Sequence, residues 1–395
     1  MDIKILHDAD WKFATYFSTN YVMERTRQKS KFENIDIIRY FLIDINTNEH
    51  KEILPNIEKY DIGGVVNASL NPEYLYFTNI ERNDKGEELF NIIRYCISTE
   101  NMESIYSFSN KIELINTVQR YRIFIINDEA IILQNEELKL CKNDYSGYFK
   151  FNSFLINLKD GSEFIISDEN IINNGITDII AVSEKQCIIK TGFSLVEDGR
   201  FSNLTQEECS VETIGFVNIS QMLSDLAIGH VNISIDVIDQ AFYETTIPYM
   251  KITQNYLIYS VVNNKNKTEE IKFYNMETNE VKKCINEDVN SSKDLANAFI
   301  INNNPYVCIE KNKSYQFLNI NSNKVDHHYH NNLKLVKICK EALVFAGMKK
   351  SFLIGKEKNY YEVIGFPSDK VLFKENHEYI DSLESDDDTL YIITK

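Results

Sequence analysis

Glycine and proline are scarce, at 13 and 5 among 395 residues, and tryptophan occurs once, as Trp11. Neither GxGxxG nor GxxxxGK[ST] is present, so no phosphate-cradling glycine loop is expected. The HExxH and GxSxG arrangements of metal-dependent and nucleophilic hydrolases are missing as well. Seven cysteines, at 96, 141, 187, 209, 284, 308 and 339, form no CxxC pair. They read as buried thiols in a reducing compartment rather than as a disulfide framework.

Long apolar runs are also lacking. No window approaches the roughly 18 uninterrupted apolar residues of a membrane span. The N-terminal MDIKILHDADWKF carries acids where a secretory leader carries positive charge. The expected location is the bacterial cytoplasm. Basic residues are outnumbered, 42 Lys and Arg against 59 Asp and Glu, and the formal charge of −17 repels phosphate backbones. Nucleic acid is therefore not an expected partner. The one local concentration of basic residues, Arg25, Arg27, Lys29 and Lys31 in ERTRQKSKFEN, reads as a solvated loop or edge strand.

What the chain does have is strand composition. Tyr and Phe stand at 23 each, and short alternating apolar runs are bounded by Asn, Asp, Ser or Lys clusters. Several of these runs repeat. IKFYNMETNEVKKCI (271–285) aligns with RYFLIDINTNEHKEIL (39–54), NIIRYCISTENMESIY (91–106) and FNSFLINLKDGSEFII (151–166). It aligns again with YQFLNINSNKVDHHYH (315–330) and YYEVIGFPSDKVLFKE (360–375), and a degenerate copy lies at IGFVNISQML near Val217. Taking Ile45, Ile97, Ile156, Met276, Ile320 and Phe366 as equivalent leaves a long gap with room for that copy. Each copy is a strand, a short polar turn and a second strand, and a further pair of short runs precedes most copies. The unit is four antiparallel strands in about 45 to 60 residues.

This repeat resembles those of the β-propeller superfamily, particularly bacterial tandem-repeat propellers whose third and fourth strands read roughly Tyr-x-x-Asp-x-x-Thr-Gly-x-Val. Segments 39–54 and 271–285 match it best, without the glycine usual in that turn. WD40 and kelch signatures are absent: Trp11 closes no repeat, and paired glycines occur once, at Gly63 and Gly64. The resemblance implies an all-β propeller of four-stranded antiparallel blades, seven in number with eight as the alternative. It implies no catalytic residue, because the superfamily has no single activity. Residues 1–395 are expected to form one domain closed by pairing of the N- and C-terminal strands, which removes an exposed sheet edge. Short helical insertions are expected near 219–244 and 290–299.

VDHHYH (325–330) is the most chemical-looking cluster. On a regular strand Asp326, His328 and His330 share one side, a plausible metal set, but on a fourth strand that side faces away from a propeller's channel. ESDDDT (384–389) lacks the sixth-position Gly and distal Glu of a calcium loop. Asp61 and Asp178 sit near the starts of innermost strands and could line a channel. The loops 142–150 and 193–212 mix Tyr, Phe and Arg, residue types enriched in binding hot spots. The expectation is thus a non-catalytic binding or scaffold propeller, contacting a protein partner or small ligand through Tyr145, Tyr148, Phe193, Arg200 and Phe201. No catalytic residue, metal or cofactor is assigned. The alternative is an enzyme, a hydrolase or lyase on a sugar or lactone, with its site in the central channel.

Overall fold

The computed structural model describes residues 2–7, 14–16, 21–29, 36–44, 46–47, 49–53, 65–67, 73–82, 88–110, 119–127, 129–140, 147–166, 175–192, 211–228, 233–242, 245–263, 265–286, 295, 297–311, 314–330, 333–339, 342–350, 357–377, 380–384 and 389–394. These fall into two compact units, one formed by Met1–Pro55 with Pro248–Lys395 and the other by Asn56–Ile247.

In the first unit, one sheet runs through Ala14–Tyr16, Tyr21–Lys29, Asp36–Asp44 and His50–Ile53. The meander Met250–Thr253, Tyr256–Asn263, Thr268–Asn275 and Val281–Asn286 belongs to another sheet. Ala298–Ile301, Asn304–Lys311, Ser314–Asn319 and Lys324–His330 form another. Lys334–Cys339, Ala342–Lys350, Glu357–Gly365 and Val371–His377 form the next. The terminal strands make a separate three-stranded sheet, in which Asp2–His7 pairs in parallel with Thr389–Thr394 and the latter pairs antiparallel with Ile380–Glu384.

The second unit holds three four-stranded sheets. Their strands are Val65–Asn67, Tyr74–Arg82, Glu88–Cys96 and Met102–Asn110; then Gln119–Asn127, Ala130–Leu140, Gly147–Asn157 and Glu163–Ile166; then Ile176–Ser183, Gln186–Thr191, Glu212–Asn218 and Asp236–Ala241. Neighbours in sequence are neighbours in each sheet, and every pairing within these meanders is antiparallel. A succession of such meanders is the blade architecture of a β-propeller.

The polar turn ending each third strand explains the sequence repeat. Asp44, Asn157, Asn275 and Asn319 occupy one position, and the side-chain oxygen of each accepts backbone N–H groups of the turn that follows. Asp44 Oδ1 accepts from Asn46 and Thr47, and Asn157 Oδ1 from Lys159. Asn275 Oδ1 accepts from Glu277 and Thr278 at 2.9 and 3.1 Å, and Asn319 Oδ1 from Asn321 and Ser322. This side-chain turn closes donors that would otherwise lack a partner. Four residues further on the backbone turns left-handed, at Glu100, Gly161, Asn279, Asn323 and Asp369. The N–H of the residue after the acceptor position donates to a carbonyl of the first-to-second-strand connection or the start of the second strand: Ile97 to Glu73, Leu158 to Glu129, Met276 to Asn255 and Ile320 to Pro305. Leu158, rather than Ile156, is therefore the true equivalent in the third copy, and Ile219, which donates to Lys185, fills the gap after it.

Segment 212–227 is the degenerate copy. Asn218 stands at the turn-acceptor position and accepts from the Gln221 N–H at 3.0 Å, but here it caps a helix, α1 (Ile219–Ala227), in place of a tight turn. Ile219, Met222 and Leu226 follow helical spacing and are buried with Cys187, Ile189 and Val217. The second half of the expected 219–244 insertion is strand, because Asp236–Ala241 pairs with Glu212–Asn218. Of the expected insertion at 290–299, residues 290–294 and 296 lie outside the described residues, while Ala298 and Phe299 begin a strand.

Sheet faces carry the core. Phe299, Phe317, Phe345 and Phe366 pack in the first unit, and the terminal strand contributes Leu390 and Ile392 to a cluster with Val344, Val363 and Phe373. In the second unit wholly buried Gln134 grips the start of a neighbouring sheet. Its Nε2 donates to Ile176 O at 3.0 Å and its Oε1 accepts from Ile176 N–H at 2.6 Å.

Asn275→Ala removes the acceptor for two turn N–H groups and is expected to cost about 1 kcal/mol in denaturant unfolding. Asn275→Asp, the arrangement Asp44 already uses, should be close to neutral. Equal losses in the two variants would show that the side-chain acceptor is not what holds the turn.

Candidate functional site

The VDHHYH strand resolves into separate contacts rather than a metal set. A bulge in its pairing with Ser314–Asn319 breaks the register between Phe317 and Leu318, with Leu318 opposite Val325 but Phe317 opposite His327. The extra residue is Asp326, and its insertion turns over the faces of everything after it. Asp326 Oδ2 accepts from Tyr306 Oη at 3.2 Å and Asn319 Nδ2 at 2.7 Å. His327 sets its ring edge-on to Phe366, with centroids 4.6 Å apart. The side chain of His330 lies outside the described residues, and no group of three or more His, Cys, Asp or Glu suited to a metal occurs among them.

His328 takes the chemically interesting place. It stands opposite Gln316, so Ser314, two residues earlier on that strand, is its diagonal neighbour on the same face. Ser314 Oγ and His328 Nε2 are hydrogen-bonded. Ser314 is buried and His328 exposed, so the hydroxyl is held against the sheet with its base toward solvent. With the proton on Nδ1, Nε2 accepts from the hydroxyl, the arrangement of a nucleophile and its base.

A second set of polar groups is buried in the other unit. Asp178 stands opposite Lys190, and Lys190 Nζ lies 3.9 Å from Glu212 Oε2 with both side chains under a tenth exposed. The Ile247 N–H donates to the same oxygen at 2.6 Å, while Glu212 Oε1 has no hydrogen-bond partner among the described residues. Gly192, at φ +103°, makes room: a Cβ there would stand 2.6 Å from Glu212 Cα. Burial pushes the Glu212 carboxyl above its ordinary range, against the Lys190 charge and the Ile247 N–H. Burial likewise raises Asp178, opposed by the Ile179 backbone, Lys190 and Arg122. This set joins three strands as an internal charge network. Asp61 lies outside the described residues.

Of the expected binding residues, Tyr145, Phe193, Arg200 and Phe201 lie outside the described residues. Tyr148 belongs to the strand Gly147–Asn157, opposite Lys139, and its side chain also lies outside. No sequence motif marks Ser314. Ser314 opens its strand five residues before the turn acceptor Asn319, and regular counting back from that turn sets Gln316 opposite His327. Only the bulge brings His328 to Ser314's face.

No protein-family model and no curated protein matches the chain. Solved structures similar to it include a chain from a structural and mechanistic analysis of two prolyl endopeptidases, at 10% identity and TM-score 0.45, covering 92% of this chain and 46% of that one. The β-propeller domain of the Trilobed protease from Pyrococcus furiosus matches at 8% identity and TM-score 0.36, covering 94% and 98%. An acylaminoacyl peptidase in complex with Z-Gly-Gly-Phe-chloromethyl ketone matches at 8% and 0.40, covering 97% and 65%. The chain thus spans about half of the endopeptidase chain and just under two thirds of the acylaminoacyl peptidase. The expectation of a non-catalytic scaffold is not supported by these neighbours, which are peptidases and a protease's propeller. Among the described residues, no helix is long and apolar enough to cross a membrane.

Lys190→Met leaves the Glu212 carboxylate buried without its cation, with an expected loss of about 3–5 kcal/mol at neutral pH. A folded carboxyl with a raised pKa holds its proton more tightly than the unfolded one, so its contribution favours folding at low pH and declines as pH rises through the folded value. The Lys190→Met deficit should therefore shrink on acidification, and Lys190→Met/Glu212→Gln should recover much of it. A pH-independent deficit in urea titrations would refute the coupling.

Proposed function

We propose that the protein is a hydrolase acting on a carbonyl substrate, an ester, lactone or amide, with Ser314 as nucleophile and His328 as general base. The observation that carries this reading is the Ser314 Oγ to His328 Nε2 hydrogen bond. As Oγ bonds to the carbonyl carbon, its proton passes to Nε2. Nε2 then returns that proton to the leaving group as the carbonyl–leaving-group bond breaks. Water, deprotonated by the same imidazole, cleaves the acyl-serine and restores both residues. A glycosidic bond, whose hydrolysis uses two carboxylates about a sugar carbon, suits this pair less well than a carbonyl.

The same reading takes residues 1–395 as one domain closed by its terminal strands and working in the cytoplasm. Tyr145, Tyr148, Phe193, Arg200 and Phe201 remain its proposed ligand contacts.

A fluorophosphonate probe should label the purified protein at Ser314, with labelling lost in Ser314→Ala and slowed about 10²–10⁴-fold in His328→Gln. Turnover of p-nitrophenyl esters, lactones or peptide anilides should fall in parallel. Labelling that survives Ser314→Ala, or wild-type protein inert to both probe and substrates, would rule the assignment out.

A further inference from the structure

The helix that replaces a turn in segment 212–227 leaves a cavity of about 190 Å³ beside it. Gln186 stands opposite Asn218, and Phe216 stands opposite Asp236. Residues 216 and 218 point to the same side of one strand, so all four share one sheet face. Gln221 and Met222, from the first turns of α1, and Ser234 complete the lining. Gly215 permits the close approach that seats Asp236 here, since a Cβ on it would come within 2.7 Å of the Asp236 carbonyl oxygen. In the copies built on Asn157, Asn275 and Asn319 the same strand end is closed by a short turn instead.

The chemistry of the lining is selective. It holds one carboxylate and no Lys or Arg, which disfavours anions. One carboxylate is too few for a calcium or zinc site, which draws on several charged or imidazole ligands. An aromatic ring and a carboxylate side by side recognise an organic cation, the ring through its negative face and the carboxylate through charge. The Met222 thioether offers an apolar, adaptable wall to alkyl groups, and the Gln186 and Gln221 amides can take or give hydrogen bonds. The volume lies below the roughly 300 Å³ at which pockets begin to hold drug-sized ligands.

We propose that this cavity is a binding site for a small alkylammonium ion, with the Phe216 ring and the Asp236 carboxylate as its recognition groups. The site is separate from the Ser314–His328 pair and its test does not depend on hydrolysis.

Isothermal titration of the full chain with choline and with n-butylammonium, against sodium acetate, tests it. Saturable binding of at least one ammonium probe and none of acetate is expected. Asp236→Asn, at an exposed position where folding is retained, should weaken binding about tenfold. Phe216→Leu should weaken it too, and Asp160→Asn, a carboxylate in another sheet, should leave it unchanged. Absence of saturable binding to both ammonium probes, equal binding of acetate, or an affinity unaltered in folded Asp236→Asn would overturn the proposal.

Discussion

A single side-chain acceptor at the end of the third strand organises the turn in four of the described sheets. Where a strand ends, the N–H groups that the ladder no longer uses must find partners or remain exposed at a cost. Asp44, Asn157, Asn275 and Asn319 supply them from their own side chains. Cys96 stands at the same position in another sheet, where Glu73 reaches across instead and accepts from the Ser98 N–H at 2.9 Å. The turn thus pins its own strands and, through the next N–H, the connection between the first two strands. A four-stranded meander follows from these few bonds together with alternating apolar residues.

The helix at Asn218 departs from the repeat, whereas the bulge that sets His328 beside Ser314 recurs at the equivalent place in 360–375, where Val363 faces Phe373 and Ile364 faces Val371. Asn218 keeps the acceptor role but starts a helix, and a cavity lies beside that helix. Asp326 adds one residue to a fourth strand, and because side-chain direction alternates with a period of two, that insertion exchanges the faces of His327 and His328. His327 goes to an aromatic cluster with Phe366, and His328 goes to Ser314. A regular structure repeated around a sheet series carries no activity of its own; single-residue irregularities give it distinct side-chain constellations.

Burial has a different effect in the other unit. Lys190 and Glu212 are both nearly inaccessible, and their mutual attraction at 3.9 Å competes with the cost of removing two charges from water. Such a pair confers a specific arrangement more surely than it adds stability. Gly192 is the residue that permits it, since only a residue without Cβ accommodates the Glu212 backbone so closely at a positive φ.

Composition and the repeated hairpin were enough to read the all-β propeller, the turn at Glu277–Glu280 and the degenerate copy near Val217, because strand alternation and turn chemistry are local properties written in consecutive residues. They were also enough to show that the fourth copy carries helical spacing, as Met222 and Leu226 do. The Ser314–His328 pair was not legible in the same way. Its two residues are 14 positions apart, and whether they share a face depends on one bulge that slides the register by a single residue, with the extra residue Asp326 hydrogen-bonded to Tyr306 and Asn319. The meeting of Lys190 with Glu212 was equally hidden, since 21 intervening residues separate them and cross-strand pairing, a long-range event, brings them together. Local pattern determined the strands and turns; which side chains face one another was decided only when the strands paired.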